Sequence, residues 1–333
     1  MACKTVLITG IFGQDGAYLA QIALRKNYRV IGAGRHTDQP QKKWRLQHLG
    51  ISDAIEYREL NLADTQSVQK LMEENSPDLI FNMAAQSSVA ESFKKPFETL
   101  DSTLMGAARI FEAARIFAPQ ARIFQPLSSQ KMPTSSPYAA AKVCASILVD
   151  LYRERYGLFI SSAVLHNHES PLRNTTFVSK KIVHSLVKIC QGTQKTLALG
   201  NLDSQRYWSH ARDIMEGAWK SLQQSSPNRY VLTSDQIFSV REFATQCAAQ
   251  LGIKLSWHGT GKNETGLSQD GNLIVWVDPS FYRPTDPVPD RSGALETEHD
   301  LHWKTEVPLA DLIQEMIDFE FTPLNSETAP NLA

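Results

Sequence analysis

The first half of the chain alternates short apolar runs with stretches whose apolar residues recur at helical spacing. Residues 6–10 (VLITG), 29–34 (RVIGAG), 55–60 (IEYREL), 79–85 (LIFNMAA), 122–129 (RIFQPLSS) and 161–167 (SSAVLHN) are bounded by turn-forming or charged residues and predict strands. Between them, residues 17–27, 65–75, 103–117 and 138–157 predict helices. Leu19, Ile22 and Ala23 share one face of the first, and Asp64 stands where the second needs an N-cap. Repeated strand–helix–strand order predicts a doubly wound parallel sheet with helices on both faces, whose ligands bind beyond the carboxyl ends of the strands.

After about residue 167 the alternation loosens. Helices are expected at 178–191, 211–223, 239–251 and 308–319, separated by polar loops, and residues 323–333 form a tail too polar to build a core. The expected division is therefore a nucleotide-binding domain at 1–167 and a smaller α/β C-terminal substrate-binding lobe at 168–322, some of whose segments return to the first domain.

Composition narrows the function classes. With 333 residues, 42% hydrophobic and 21% charged content, the chain can bury a large core. Its formal net charge of −1 gives no general attraction to nucleic acid or to an anionic membrane. Cys3, Cys144, Cys190 and Cys247 have neither disulfide nor zinc spacing, which fits a reducing cytoplasm. His166 and His168 could share a strand face, but without a carboxylate ligand pattern they read as packing or substrate contacts, and no metal is expected. The segment MACKTVLITG is apolar for too few residues to be a signal peptide, and no run approaches transmembrane length.

The first strand runs into TGIFGQDG, with Gly10, Gly13 and Gly16 spaced by two residues each. The first glycine permits a tight turn, the second lets backbone amides approach a pyrophosphate, and the third lets helix and strand pack closely. In this strand–loop–helix context the motif predicts a Rossmann-type dinucleotide site that includes Gln14 and Asp15. The second strand ends in GAGRHT, with Arg35 and no acid to take a ribose hydroxyl, so NADP is the expected cofactor.

Tyr138 and Lys142 lie four residues apart, on one face of the helix that opens at Pro137, and Ser128-Ser129 ends the strand before it. An ammonium beside the phenol would lower its pKa, making Tyr138 a base for a hydroxyl proton while hydride leaves the same carbon. Together with the glycine loop, this set resembles the extended short-chain dehydrogenase/reductase family.

The resemblance narrows to bacterial GDP-mannose 4,6-dehydratases through ITGIFGQDGAYLA (8–20), WRLQHLGI (44–51), NMAAQSSV (82–89), SPYAAAK (136–142), NHESPLR (167–173), FVSKKI (177–182), LGNLDSQRYW (199–208) and YRPTD (282–286). It implies an NADP enzyme acting on a GDP-linked hexose, GDP-mannose or a derivative, and assembling as a homodimer or homotetramer. Ser128, Tyr138 and Lys142 would be catalytic. Asn61 and Leu62 would lie by the adenine, Ala84, Ala85 and Gln86 by the nicotinamide, and Asn167 by cofactor or sugar. Ser87, Val178 and Lys181 would belong to the substrate site, with Arg206 and Arg283 on its diphosphate and Asp286 nearby.

The chain departs from the family where the chemistry is most demanding. The family's fifth strand ends in Thr-Ser-Glu followed by a long loop, whereas here the sequence is Ser128-Ser129-Gln130 and the loop is KMPTS. Gln130 occupies the catalytic glutamate position, and an amide neither accepts the C5 proton nor returns one to the departing C6 hydroxyl. His166, where the family has an aromatic, and Lys131 are candidate substitutes. Tyr207 replaces an acid after the arginine, and Asp286 replaces a glutamate. Three functions fit: C4 redox chemistry without efficient elimination (dehydrogenase, ketoreductase or epimerase), dehydration with a relocated acid/base, or a non-catalytic NADP-binding sensor or scaffold.

Overall fold

The structure, a computed structural model, describes residues 3–128, 136–283 and 289–322. The first half forms β1 (Thr5–Thr9), α1 (Gln14–Arg25), β2 (Arg29–Gly34), α2 (Trp44–His48), β3 (Ile55–Glu59), α3 (Thr65–Asn75) and β4 (Leu79–Asn82). Next come α4 (Val89–Lys94), α5 (Pro96–Leu100), one π turn (Asp101–Met105), α6 (Gly106–Phe117), β5 (Arg122–Ser128), α7 (Pro137–Tyr156) and β6 (Phe159–Leu165).

The second half runs β7 (His168–Glu169), α8 (Val178–Cys190), β8 (Leu197–Leu199), β9 (Gln205–Tyr207), β10 (Ser209–His210), α9 (Ala211–Ser221) and β11 (Arg229–Leu232). It closes with β12 (Ile237–Ser239), α10 (Val240–Gln250), β13 (Ser256–His258), β14 (Thr265–Leu267), β15 (Leu273–Val277), α11 (Ala294–Leu301) and α12 (Leu309–Phe321).

Seven parallel strands pair in the order β11-β6-β5-β4-β1-β2-β3. Side-chain alternation divides their apolar residues between two cores. Val6, Ile8, Leu79, Phe81 and Phe124 face a layer built with α1 and α9, while Leu7, Ile80 and Ile123 face α3, α6 and α7. Covering both faces explains why these strands read as continuous apolar runs. Winding reverses direction between β1 and β4, which sets a crevice at their carboxyl ends.

A third core joins α8, α10 and α12 to the sheet β13-β14-β15-β8. The C-terminal half also contributes β11, α9 and α11 to the large sheet and its cover.

Several boundaries differ from expectation for local reasons. The strand expected over 79–85 stops at Asn82, because the Ala84 amide turns back to donate to Thr9 Oγ1 (3.0 Å). The last expected strand of the first half starts at Phe159, which pairs with Arg122, and ends at Leu165. The first three residues of the helix expected from 103 belong to the π turn, so α6 starts at Gly106, and β3 ends at Glu59. Asp64 does cap α3, accepting from the Gln66 amide at 2.9 Å. His166 and His168 do not share a strand, since β6 ends before the first and β7 holds the second.

Candidate active site

Every strand that borders the crevice delivers a candidate residue at its carboxyl end. Ser128 closes β5, and Ser136 fixes the start of α7 by accepting from the Ala139 amide at 3.0 Å, with Pro137 in the first turn, where a missing N–H costs nothing. That start places Tyr138 beside Ser128, and the two hydroxyls share a hydrogen bond. Lys142 follows one turn later and is buried, its Nζ donating to the Pro126 carbonyl at 3.0 Å.

The electrostatics correct one expectation. Lys142 Nζ lies 5.9 Å from the Tyr138 ring centroid, and the net shift of the phenol is upward, not downward. Burial pushes the Tyr138 pKa above its ordinary value, against the opposing Ser128 hydrogen bond and the nearby Arg173 charge. Burial likewise brings Lys142 down to about 8.

Beneath this set runs a polar chain that sequence reasoning missed. The Ala84 amide donates to Thr9 Oγ1, Thr9 donates to Asn82 Oδ1 (3.0 Å), Asn82 Nδ2 donates to Gln125 Oε1 (2.8 Å), and Gln125 Nε2 donates to the Pro126 carbonyl (3.2 Å). That carbonyl also holds Lys142. Thr9, Asn82 and Gln125 are all buried, and together they fix the crevice strands in one register. The available signal was a polar residue inside each of the apolar runs LIFN and RIFQP.

The glycine loop needs its glycines. Gly10 sits at φ +68°, and a Cβ there would stand 2.9 Å from the Met83–Ala84 backbone. A Cβ on Gly16 would stand 2.5 Å from the Gly10 carbonyl. Gly13 is the N-cap of α1, whose first amides have no side-chain cap, the arrangement that receives an anion.

The side chains of Gln14 and Asp15 turn toward protein. Gln14 donates to the His168 carbonyl (3.2 Å) and accepts from Ser170 Oγ (2.7 Å), while Asp15 Oδ2 lies 3.1 Å from His168 Nε2. Glu169 is buried with Ser179 Oγ at 2.6 Å and Arg173 Nε at 3.1 Å. Arg45 bridges the carbonyls of Phe12 (2.9 Å) and Leu172 (2.7 Å). Three separated sequence segments, GQDG, WRLQ and NHESPLR, thus form one joint between the glycine loop and the second half of the chain.

Arg35 is exposed just past β2, in a turn held by Glu59, which accepts from the His36 (2.9 Å) and Thr37 (3.1 Å) amides. Lys42 Nζ reaches the Arg35 carbonyl (3.3 Å) and Lys43 lies 4.2 Å over the Tyr57 ring, adding positive charge that sequence reasoning had not singled out. Asn61 is exposed and accepts from the Ala63 amide, whereas the Leu62 side chain is buried in the core against Gly106. Ala84, Ala85 and Gln86 are partly buried beyond β4 and Ser87 is exposed; Gln86 bonds the Ser88 backbone.

On the opposite side, Asn167 follows β6, and its carbonyl accepts from the Ser209 amide at 3.1 Å. Val178 opens α8, and Lys181 Nζ lies 4.1 Å over the Phe281 ring. The loop after β8 packs on the same segment, since Asn201 Nδ2 donates to the Arg283 carbonyl (3.1 Å) and Gly200 touches the Phe281 backbone. Lys181 and Arg283 therefore come to one surface. Arg206 lies in β9, paired with Phe238 of β12. Tyr207 stacks on His166, with ring centroids 5.3 Å apart. Ser129, Gln130, Lys131 and Asp286 lie outside the described residues.

Comparison with known proteins shows the family. Residues 7–316 match the family model described as GDP-mannose 4,6 dehydratase. GDP-mannose 4,6-dehydratase of Sinorhizobium fredii is 36% identical over 94% of this chain and 95% of its own, and GDP-mannose 4,6 dehydratase 2 of Caenorhabditis elegans is 35% identical over 94% and 88%. Among solved structures, dTDP-glucose 4,6-dehydratase of Bacillus anthracis in complex with NAD shares the fold, with a TM-score of 0.75 at 15% identity over 95% of this chain and 96% of its own. The chain belongs to the GDP-mannose 4,6-dehydratase family, nucleotide-sugar enzymes of the extended short-chain dehydrogenase/reductase class.

Proposed function

We propose that the protein is an NADP-dependent enzyme that oxidises or reduces a GDP-linked hexose, GDP-mannose or a derivative, at C4, and that the elimination step of its relatives is impaired. The observation that carries this reading is the Ser128–Tyr138 hydroxyl pair beside buried Lys142, at the crevice where the sheet changes direction. In it, Tyr138 exchanges the C4 hydroxyl proton and Ser128 holds both oxygens in place. Lys142, anchored on Pro126, would hold the nicotinamide ribose. Bound NADP supplies the hydride acceptor or donor.

Residues 1–167 would hold the nucleotide. Gly10, Gly13 and the first turn of α1 would take the pyrophosphate and Arg35 the 2′-phosphate, with Lys42 and Lys43 adding to its field. Residues 168–322 would mainly hold the sugar nucleotide. There Val178 and Lys181 would border the guanine, Arg206 and Arg283 would clamp the diphosphate with Asp286 nearby, and Ser87 and Asn167 would face the sugar.

Arg35→Ala tests the cofactor assignment. Wild type is expected to bind NADP⁺ at least about tenfold tighter than NAD⁺, and the variant to lose that preference through weaker NADP⁺ binding, because a bidentate guanidinium–phosphate pair contributes on the order of 1.5–3 kcal/mol. Equal affinities in wild type, measured by fluorescence titration, would contradict it.

Family membership favours a second reading, full 4,6-dehydration with an acid/base supplied from elsewhere. His166 is poorly suited to supply it. The ring is buried, stacked on Tyr207 and bonded through Nδ1 to Thr233 Oγ1 (3.0 Å), and burial pushes its pKa down to about 4, so at neutral pH it lacks the imidazolium proton a general acid gives and is a weak base.

A homodimer or homotetramer in the cytoplasm completes the reading. Phe93, Phe97, Ile147 and Leu151 expose apolar side chains on the adjoining helices α4, α5 and α7, a face suited to a second copy. Sedimentation as a monomer at micromolar concentration would contradict this part. No helix among the described residues is long and apolar enough to cross a membrane.

A further inference from the structure

Both ring nitrogens of His168 face acceptor oxygens. Nδ1 lies 2.7 Å from the His166 carbonyl, which can only accept, so Nδ1 carries a proton. Nε2 lies 3.1 Å from Asp15 Oδ2, and a carboxylate also only accepts. Satisfying both contacts with ionised Asp15 requires both ring protons, and hence a cation. His210 makes the contrast clear. Its Nε2 also meets a carboxylate, Glu315 at 3.0 Å, but its Nδ1 accepts the Arg212 amide at 2.9 Å, so one proton serves both contacts and the ring can stay neutral.

The pair sits at an unusual place. Asp15 lies in the first turn of α1, where a carboxylate adds like charge near any incoming pyrophosphate, and His168 leads the segment that Gln14 and Ser170 bind to the same turn. We propose that His168 is held as an imidazolium and acts as a positioning residue for the nucleotide, cancelling the Asp15 charge and locking the glycine-loop helix onto the segment 167–170 that begins the substrate side. This rests on the reading of the glycine loop as the nucleotide site.

The charged neighbours agree with the assignment. Asp15 faces His168 from α1, Arg173 approaches from the chain beyond β7, and Tyr18 of α1, Arg45 of α2 and Tyr138 and Lys142 of α7 feel the Asp15 charge. His166, just beyond β6, is kept neutral by burial, and on the β10 side His210 is taken up by Glu315. For Asp15, burial would raise the carboxyl, but His168 and then Arg173 hold it far below the usual range. For His168, burial would lower the ring, but Asp15 outweighs it and the net shift is upward. The contribution is therefore complete below the ordinary histidine pKa and is lost as pH rises through the higher folded value.

The test joins imidazole ¹⁵N NMR of the whole protein to NADPH titrations between about pH 6 and about pH 9. His168 should carry both protons at neutral pH and titrate above about 6.5, and NADPH affinity should fall about tenfold as it deprotonates. Asp15→Asn keeps a hydrogen bond, because its amide donates to the Nε2 lone pair of a neutral ring, so its affinity should be independent of His168 ionisation. His168→Gln should bind about tenfold more weakly at low pH, with the pH dependence gone. His168 titrating at or below about 6.5 while NADPH binds normally, or an unchanged pH dependence in Asp15→Asn, overturns the role. A wild type that binds no NADPH at any pH while His168 remains cationic instead overturns the nucleotide-site reading beneath it.

Discussion

Tyr138→Phe is expected to lower hydride transfer to or from any GDP-hexose by about 10²–10⁴-fold, the range general acid–base groups supply. NADP binding should be nearly unchanged. The substitution keeps the ring and removes only the hydroxyl that bonds Ser128, while Lys142 stays fixed on Pro126. Because burial, joined by the Asp15 charge, drives the Tyr138 pKa upward, the rate of sugar oxidation should rise with pH in wild type as more phenolate forms. Single-turnover nicotinamide absorbance measures both effects. Full activity in the variant would remove Tyr138 from the role of base.

The second large effect concerns elimination. Removing water across C5 and C6 requires a group that takes the C5 proton and another proton for the departing hydroxyl, and the Gln130 amide can do neither. His166 is buried and kept neutral, as described, which leaves the wild type without an evident shuttle among the described residues. Gln130→Glu is therefore expected to raise the rate of water loss from GDP-mannose by about 10²-fold or more. No change in that variant would place the defect in the shortened loop KMPTS instead of in the side chain at 130.

The parts of this protein that were legible in its sequence are those fixed by local necessity. Gly10 and Gly16 have no room for a side chain, so their spacing after an apolar strand marks the tight turn from β1 into α1. The Tyr138–Lys142 spacing follows from one helix with a Ser136 cap and Pro137 in its first turn, and the parallel sheet from runs buried on both faces. What stayed hidden depends on contacts between distant residues. Asp15 and His168 are 153 positions apart, and no periodicity links them. Thr9, Asn82 and Gln125 become a chain only after three strands pair. The sheet of β13, β14, β15 and β8 is built largely from three-residue strands, too short to show alternation, and α2 has five residues stabilised by what Arg45 reaches in other segments. Even the Tyr/Lys pair differed from expectation in one respect, because spacing does not reveal the burial that moves the phenol upward.

The most direct test of the central claim, retained C4 redox chemistry with impaired dehydration, is to incubate the wild-type protein with NADP⁺ and GDP-mannose and follow nicotinamide absorbance and sugar mass together. The account predicts reduced nicotinamide accumulating in step with a GDP-sugar that has lost two hydrogens and kept all its oxygen. Stoichiometric loss of one water with no net reduced nicotinamide would contradict it and establish a complete dehydratase, while inertness toward GDP-hexoses with NADP bound would contradict it in favour of a non-catalytic nucleotide-binding role.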